Sequence, residues 1–327
     1  MLKKTQLWRE RPTIELDAAL PAESRYAGLP ADAIGHCNTL LNAIMTQIPP
    51  DSAPIADGVR MRTDDRFHAS ALALGQRHGR DWRDVILANV SYDLFLASLG
   101  CSTLALPTPS GPVVARNMDW FPENLLARAS YLIRYRRGSK FAFAHAAWAA
   151  SIGTVTGLSG KGFAVIVNAV RSPEGVNLSG YPVLLFLRKV LEEAEGFKHA
   201  LELLSTQTLA MSALLTLVGS ENDERVVIER TPTRHALRWG EPGRPLMTTN
   251  HYRKLFTPEE SKPEGCPRFE RLCEFLTNYD ATREPQNDEL LGMLSDPGVI
   301  QEITAQHILI RPRRQQMQVF VPSKHVD

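Results

Sequence analysis

The stretch CSTLALPTPSGPVVARNMD, residues 101–119, contains two apolar runs separated by a turn rich in proline, serine and glycine. This pattern predicts a β-hairpin whose second strand returns beside Cys101. A thiol, the guanidinium of Arg116 and the carboxylate of Asp119 would then share one small site. Because a nearby cation favours the thiolate, this arrangement is compatible with a cysteine nucleophile.

Composition narrows the class of protein. With 327 residues, of which 43% are hydrophobic and 22% charged, the chain can bury a large core as one or two domains. Its 37 basic and 36 acidic residues nearly cancel. A polyelectrolyte partner is therefore not expected, and the electrostatic signature of nucleic-acid binding is absent.

The four cysteines, Cys37, Cys101, Cys266 and Cys273, form no CxxC pair and no metal-ligand spacing with histidine. We therefore expect reduced thiols, no metal and no organic cofactor. Residues 1–20 lack the continuous apolar core of a secretory signal, and no stretch approaches the ~20 apolar residues of a membrane span. These features predict a cytoplasmic protein without an integral membrane segment.

Periodicity divides the chain near residue 100. After a short strand at Thr13–Leu16, helices are predicted at 31–46, 66–76 and 81–99. Beyond Ser102, β-rich runs recur at 130–136, 141–148, 153–158, 163–167, 214–219, 225–229, 236–239, 308–311 and 316–321. Helices are expected at 182–194, 198–207, 268–277 and 288–295. Strands and helices in separate blocks indicate an α+β fold.

Five stretches, in order from residue 11 to residue 272, carry a family resemblance: RPTIELD (11–17) with PAESRY (21–26), NVSYD (89–93) with CST (101–103), RNMD (116–119), GKGFAVIVN (160–168), and TTNHY (248–252) with RFERL (268–272). Together they resemble the choloylglycine hydrolase superfamily of N-terminal-nucleophile amidases. The branch they resemble most is that of acid ceramidase and N-acylethanolamine acid amidase.

The resemblance implies a four-layer αββα sandwich and a nucleophile that becomes the first residue of a mature chain. The bond between Gly100 and Cys101 would be cut by the protein itself. A mostly helical segment, 1–100, would cover the nucleophile and stay associated with the catalytic part, 101–327. The new α-amine would be the general base, since its reference pKa of ~7.7–8.0 lies near working pH.

The resemblance also assigns roles by position. Arg116 would lie beside the thiol, and Asp119 would accept a hydrogen bond from the α-amine of Cys101. Asn250 would donate its side-chain amide to the oxyanion, and Asn168 its backbone N–H. Arg268 would support the site, with Arg271 as the alternative because Gly265-Cys266-Pro267 replaces the family's usual serine. The pocket candidates are Trp120, Phe121, His145 and His251.

Simpler interpretations remain for single residues. Cys101 alone fits a small buried hydrophobe, and Arg116 with Asp119 fits a surface ion pair. The two asparagines fit turns, and His145 fits a core histidine.

The predicted function is hydrolysis of a linear amide with an apolar acyl group, such as a fatty N-acylethanolamine. One alternative is an acyltransferase that resembles the enzymes exchanging penicillin side chains. The other is an uncleaved protein that binds a lipid or peptide without turnover. The oligomeric state is left open.

Overall fold

The computed structural model describes residues 7–95, 100–262 and 264–326. Within them, the N-terminal segment contains two short strands followed by helices: β1 (Trp8–Glu10), β2 (Thr13–Asp17), α1 (Ala22–Ala27), α2 (Ala31–Met45), α3 (Ala53–Arg62), α4 (His68–His78), α5 (Trp82–Asn89) and α6 (Ser91–Phe95).

The rest of the described chain is built mainly from strands, with helices between them. The elements are β3 (Gly100–Leu106), β4 (Val113–Asp119), α7 (Glu123–Ala129), β5 (Tyr131–Arg137), β6 (Lys140–Ala147), β7 (Thr156–Ser159), β8 (Phe163–Ala169), α8 (Val183–Glu193), α9 (Phe197–Thr206), β9 (Ala213–Val218), β10 (Arg225–Arg230), β11 (His235–Trp239), β12 (Leu246–Thr248), α10 (Pro258–Ser261), α11 (Pro267–Leu276), α12 (Asn287–Leu294), β13 (Thr304–Arg311) and β14 (Gln316–Pro322).

The strands form two sheets. Sheet 1 has the order β1-β14-β13-β4-β3-β12, and sheet 2 has the order β11-β10-β9-β8-β7-β6-β5-β2. The N-terminal segment therefore supplies one edge strand to each sheet. The pair β2–β5 is parallel, and the other pairs are antiparallel. Parallel pairing needs a long connection, and here α1–α6 with the β3–β4 hairpin intervene between the two strands.

Three apolar cores define the layers. One core lies between the sheets, where Ala105 and Val114 of sheet 1 meet Ala144 and Ile166 of sheet 2. A second core joins the outer face of sheet 1 to α11 and α12, and the largest joins the other face of sheet 2 to α8, α9 and the N-terminal helices. The order is helix, sheet, sheet, helix, which confirms the predicted α+β four-layer sandwich.

The quoted stretch folds as predicted, with Cys101 opposite Met118 and Thr103 opposite Arg116 in the β3–β4 hairpin. Strand β4 is longer than its apolar run indicates and includes the whole RNMD motif. The reason is that β13 pairs along its other edge, from Val114 to Asp119. Every residue of both strands is buried.

The helix predicted over 81–99 is wrong as a single element. It starts as expected, because Asp81 caps it by accepting a hydrogen bond from the Arg83 N–H. It then breaks at Val90, where ψ is 12°, between Asn89 and Ser91. Both of these side chains donate to backbone carbonyls, the behaviour by which polar residues compete with a regular helix. Residues 96–99 lie outside the described part of the chain.

Candidate active site

Cys101 lies where β3 loses its partner strand. Pairing between β3 and β12 ends at Thr248, which is opposite Thr103. At Cys101, side chains replace the missing strand: the backbone N–H donates to Asn250 Oδ1 at 3.0 Å, and the carbonyl accepts from Arg268 Nη1 at 2.6 Å. Side chains therefore hold the peptide groups on both sides of this cysteine. The residue itself is only 5% exposed.

Arg116 lies directly beside the thiol. Its Nη2 donates to Cys101 Sγ at 2.9 Å and to the Val167 carbonyl at 3.0 Å. Its Nη1 donates to the Val155 carbonyl at 3.3 Å and to the Thr156 hydroxyl. The guanidinium is fully buried between the sheets, so its direction is set by acceptors on sheet 2. A buried cation that donates to sulfur stabilises thiolate charge.

Asp119 lies on the opposite face of the hairpin, toward α11. Its Oδ1 accepts from the Thr304 hydroxyl at 2.6 Å, and its Oδ2 is 3.4 Å from Arg268 Nη1. Burial raises the pKa of this carboxyl, while Arg268, Thr304 and Arg116 lower it. Asp119 also pairs with Gly100, where a Cβ atom would stand only 3.1 Å from Oδ2. The carboxylate therefore lies against the residue that precedes Cys101.

The two predicted asparagines fix the chain around the thiol. Asn250 Nδ2 donates a hydrogen bond to the Ala169 carbonyl at 2.8 Å. Its Oδ1 accepts hydrogen bonds from the Cys101 N–H and from Arg268 Nη2. Asn168 Oδ1 accepts from the Thr103 hydroxyl at 2.8 Å. Its Nδ2 donates at 3.1 Å to two carbonyls at the end of β12, those of residues 248 and 249. The Asn168 side chain is thus a bridge, and the oxyanion role of its backbone N–H stays a prediction.

Of the two arginines left open by the sequence, the structure places Arg268 at the site. Arg268 contacts Cys101, Asn250 and Asp119, and it also donates to Ser102 Oγ at 3.0 Å. Arg271 is directed away, and its Nε and Nη2 each donate at 3.0 Å to the carboxylate of Asp296.

The aromatic pocket candidates separate into two kinds. Trp120 is 7% exposed, and its ring meets that of Trp148 edge to face with 6.3 Å between the ring centroids. It therefore packs into the apolar core, directly after Asp119 in the chain. Phe121 is 53% exposed. Its ring is available to a ligand at the protein surface.

The two histidines are not at the thiol. His145 is fully buried with the rings of Tyr135 and Phe143, and its Nδ1 is 3.3 Å from Thr154 Oγ1. Burial, with the charge of Arg188, puts its pKa well below the ordinary range. This is the core histidine that the sequence allowed as a simpler interpretation.

His251 follows Asn250 but faces a separate pocket of about 520 Å³, whose lining includes Cys266 and Phe269. Its Nδ1 is 3.0 Å from Thr249 Oγ1, and burial lowers its pKa to about 4, with a further contribution from Arg253. A neutral histidine in this position shapes the wall beside Asn250.

Sequence reasoning missed two hydroxyl residues of the site, Thr156 and Thr304. Each contacts a charged group that the sequence did identify, but from 40 and 185 residues away along the chain. No spacing rule links them to the RNMD motif, so only the sheet register brings them there.

Among the described residues, no helix has both the length and the apolar character needed to cross a membrane.

Comparison with known proteins agrees with this architecture. Residues 106–302, more than half of the chain, match the acyl-coenzyme A:6-aminopenicillanic acid acyl-transferase family. The matched range contains Arg116, Asp119, Asn168, Asn250 and Arg268 and begins five residues after Cys101.

Two curated relatives are similar to the chain at the same level. The acyl-coenzyme A:6-aminopenicillanic-acid-acyltransferase 40 kDa form of Emericella nidulans is 24% identical over 230 residues, which is 67% of this chain and 62% of that protein. The N-acylethanolamine-hydrolyzing acid amidase of Caenorhabditis elegans is 24% identical over 235 residues, 66% of each protein. The chain thus spans less than two thirds of the length of either relative.

The solved structure of the Caenorhabditis elegans N-acylethanolamine-hydrolyzing acid amidase has the same fold, with a TM-score of 0.54 and 19% identity over 65% of this chain and 93% of that one. The resemblance inferred from the five sequence stretches is therefore confirmed. The chain belongs to the acyl-coenzyme A:6-aminopenicillanic acid acyl-transferase family.

Proposed function

We propose that the protein is an autoprocessed N-terminal-cysteine amidase that hydrolyses a linear N-acyl amide through an acyl-enzyme. One observation carries the proposal: polar side chains, one of them the fully buried Arg116, hold both reactive groups of the same cysteine. Arg116 donates to the sulfur at 2.9 Å, and Asn250 accepts from the nitrogen at 3.0 Å. A cysteine that only packs in a core needs neither contact.

The first step cuts the bond between Gly100 and Cys101. The sulfur attacks the Gly100 carbonyl carbon, and the C–N bond breaks as the nitrogen takes a proton. This leaves a thioester to residue 100 and a free amine on Cys101. Water then hydrolyses the thioester, giving a carboxylate on Gly100 and restoring the thiol. The products are fragments 1–100 and 101–327, and no cofactor or metal enters the step.

The new amine can keep the contacts of the old peptide nitrogen. Asn250 Oδ1 is already its acceptor, and departure of Gly100 frees the space beside Asp119 Oδ2. An α-amine held in this way is a suitable base, because its reference pKa of ~7.7–8.0 permits proton transfer near neutral pH. It would take the thiol proton as the sulfur attacks the substrate carbonyl.

The tetrahedral intermediate needs donors for its oxyanion. Asn250 Nδ2 uses one N–H on the Ala169 carbonyl, so its second N–H is available for that role. The backbone N–H of Asn168 is the second proposed donor. Collapse of the intermediate expels the amine with a proton and leaves an acyl-thioester on Cys101, which water hydrolyses. Losing one oxyanion donor typically costs ~10²–10³ in rate.

The substrate proposal is an amide with an apolar acyl chain, of the fatty N-acylethanolamine kind. It rests on the similarity to the Caenorhabditis elegans amidase. The similarity to the Emericella nidulans acyltransferase is equally strong, which favours acyl transfer as a second candidate. The two activities share every proposed residue and differ in whether water or an amine reaches the acyl-enzyme.

Intact mass under denaturing conditions tests the first step. We expect the wild type to give two fragments that meet at Gly100 and Cys101, and Cys101→Ala to stay at 36.4 kDa. Products from an N-acylethanolamine, with and without a competing amine, then separate hydrolysis from transfer. Acyl transfer with negligible hydrolysis would replace the amidase by the acyltransferase. An uncut wild type that does not react with an electrophilic acyl probe would support a binding protein instead.

We also expect the N-terminal fragment to stay bound to the rest of the protein after the cut. Its strands β1 and β2 pair with β14 and β5, and Arg66 forms an ion pair with Glu192 of α8 at 2.8 Å. Both fragments should therefore elute together in native size-exclusion chromatography and separate only in denaturant. Elution of a free 101–327 fragment with full activity would contradict this.

A further inference from the structure

The connection between β6 and β7, residues 148–155, is buried along its whole length. Asn89, the last residue of α5, holds it from the N-terminal segment. Its Oδ1 accepts from the N–H groups of Ile152 at 2.7 Å and Gly153 at 2.9 Å. Its Nδ2 donates to the Ala150 carbonyl at 2.9 Å and to the Val85 carbonyl at 2.8 Å. Asn89 is only 2% exposed, and all of its hydrogen-bonding positions are used.

The same connection leads directly to the acceptors of Arg116. Two residues after Gly153, the Val155 carbonyl accepts from Arg116 Nη1, and the next hydroxyl, that of Thr156, does so as well. The other terminal nitrogen of this guanidinium donates to Cys101 Sγ. Hydrogen bonds at both ends of the connection, joined by its backbone from Gly153 to Val155, therefore link Asn89 to the thiol.

We infer that Asn89 is a positioning residue for the reaction: by fixing residues 150–153 it aims Arg116 at Cys101. The inference rests on the proposed function and extends it. If the chain is cut after Gly100, a side chain of the N-terminal fragment acts on the nucleophile of the other fragment. The fragment would then be part of the catalytic apparatus as well as the cover of the precursor.

The side chain of Arg116 is long and has several rotatable bonds, so the acceptors of Nη1, together with the Val167 carbonyl, decide where Nη2 points. Elements of the catalytic segment also hold the connection, through Thr154 N–H to the Leu184 carbonyl at 2.9 Å and Arg188 to the Ile152 carbonyl at 3.3 Å. Loss of Asn89 should therefore loosen residues 150–153 without unfolding them. A shift of 1 Å at a reacting group can cost ~10²-fold in rate.

A purely structural role would also lower stability, so the test needs a readout that stability alone does not move. Thr156→Val removes only the hydroxyl at the far end of the same set of bonds. If Asn89 acts through the connection, the effects of Asn89→Ala and Thr156→Val on kcat will not multiply, because both misdirect the same guanidinium. Independent roles would give a product of the two effects.

The experiment uses the full chain as wild type, Asn89→Ala, Thr156→Val and the double variant, with Asn38→Ala as control. Asn38 is an asparagine of the same segment, bonded to His78 Nδ1 at 2.8 Å in α4. Asn89→Asp keeps the acceptor for Ile152 and Gly153 but removes the donor to the Ala150 carbonyl, so it replaces the alanine variant if that does not fold, with the same outcomes expected at smaller magnitude. Hydrogen–deuterium exchange of peptides covering 149–157 reports the connection directly, without any activity.

We expect Asn89→Ala to exchange at 152–153 at least ten times faster, to lower kcat about 10–100-fold with KM little changed, and to be non-additive with Thr156→Val. Asn38→Ala should match the wild type in all three. Wild-type kcat and unchanged exchange in a folded Asn89→Ala variant would overturn the inference, and multiplying effects would do the same. Failure of the proposed function is distinguishable, since the wild type itself would then be uncut and inactive.

Discussion

Asp93 of α6, eight residues before the nucleophile, gives the sharpest prediction about stability. Its Oδ1 accepts from the Val183 N–H at 3.2 Å, at the start of α8. Its Oδ2 is buried and has no hydrogen-bond partner among the described residues. Burial raises the pKa of this carboxyl from 3.8 to about 7, although the Val183 N–H and the charge of Arg62 lower it. Replacement by asparagine keeps the acceptor and removes the ionisation.

The direction in which stability changes with pH follows from proton binding. Because the pKa is higher in the folded protein than in the unfolded chain, the folded state holds the proton more tightly. The resulting stability is fully present below about pH 4 and is lost as the pH rises through about 7. The difference corresponds to about 4 kcal/mol, at ~1.36 kcal/mol for each tenfold change in proton affinity. Asp93→Asn should therefore be more stable than its parent by up to about 4 kcal/mol at pH 8 and by about 1 kcal/mol at pH 4.5.

Urea unfolding at both pH values measures this, with Cys101→Ala as the parent so that the chain stays in one piece. Asp57→Asn is the matched control, since Asp57 lies in the same segment but its side chain is 42% exposed beside Arg83. The control should follow the parent at both pH values. An Asp93→Asn advantage that is equal at pH 4.5 and pH 8, or that is larger at pH 4.5, would refute the reasoning.

Three further predictions concern the site. Thr304→Val removes the donor to Asp119 Oδ1 and should cost ~1.5–3 kcal/mol in urea unfolding at pH 8, whereas Thr304→Ser should cost far less. Arg116→Lys keeps the charge but not the forked geometry, so the rate of Cys101 labelling by an acyl probe should fall ~10²–10³-fold while the fold, checked by circular dichroism, is retained. Gly100→Ala would crowd Asp119 and should slow the cut roughly 10–100-fold, while turnover by the protein that is eventually cut stays normal, because residue 100 has left.

The hairpin could be predicted from the sequence because it is local. Two apolar runs and a short turn predict that the second strand returns beside Cys101, and in the structure Thr103 lies opposite Arg116, only 13 residues away along the chain. The helices α8, α9, α11 and α12 begin and end within one residue of the predicted bounds, since each has a clear apolar face. Strands β1 and β12 were missed because three residues are too few to show alternation.

The contacts that complete the site could not be predicted in the same way. Thr156, Thr304 and Asn89 reach the charged residues through sheet register and a buried connection, and threonine or asparagine at such distances has no spacing signature. The family resemblance supplied Asn168 and Asn250 as candidates, but not the observation that the Asn168 side chain is occupied by Thr103 and by carbonyls at the end of β12.

The alternation of β3 and β4 explains how one cysteine can serve both the cut and the turnover. Cys101 and Arg116 face sheet 2, where acceptors on β8 and near β7 fix the guanidinium. Gly100 and Asp119 face the other way, toward Arg268. Cutting the Gly100–Cys101 bond removes a residue from the Asp119 side and changes nothing that Arg116 touches. In the proposed mechanism the thiol is therefore already in its working environment in the precursor, and the cut adds only the amine.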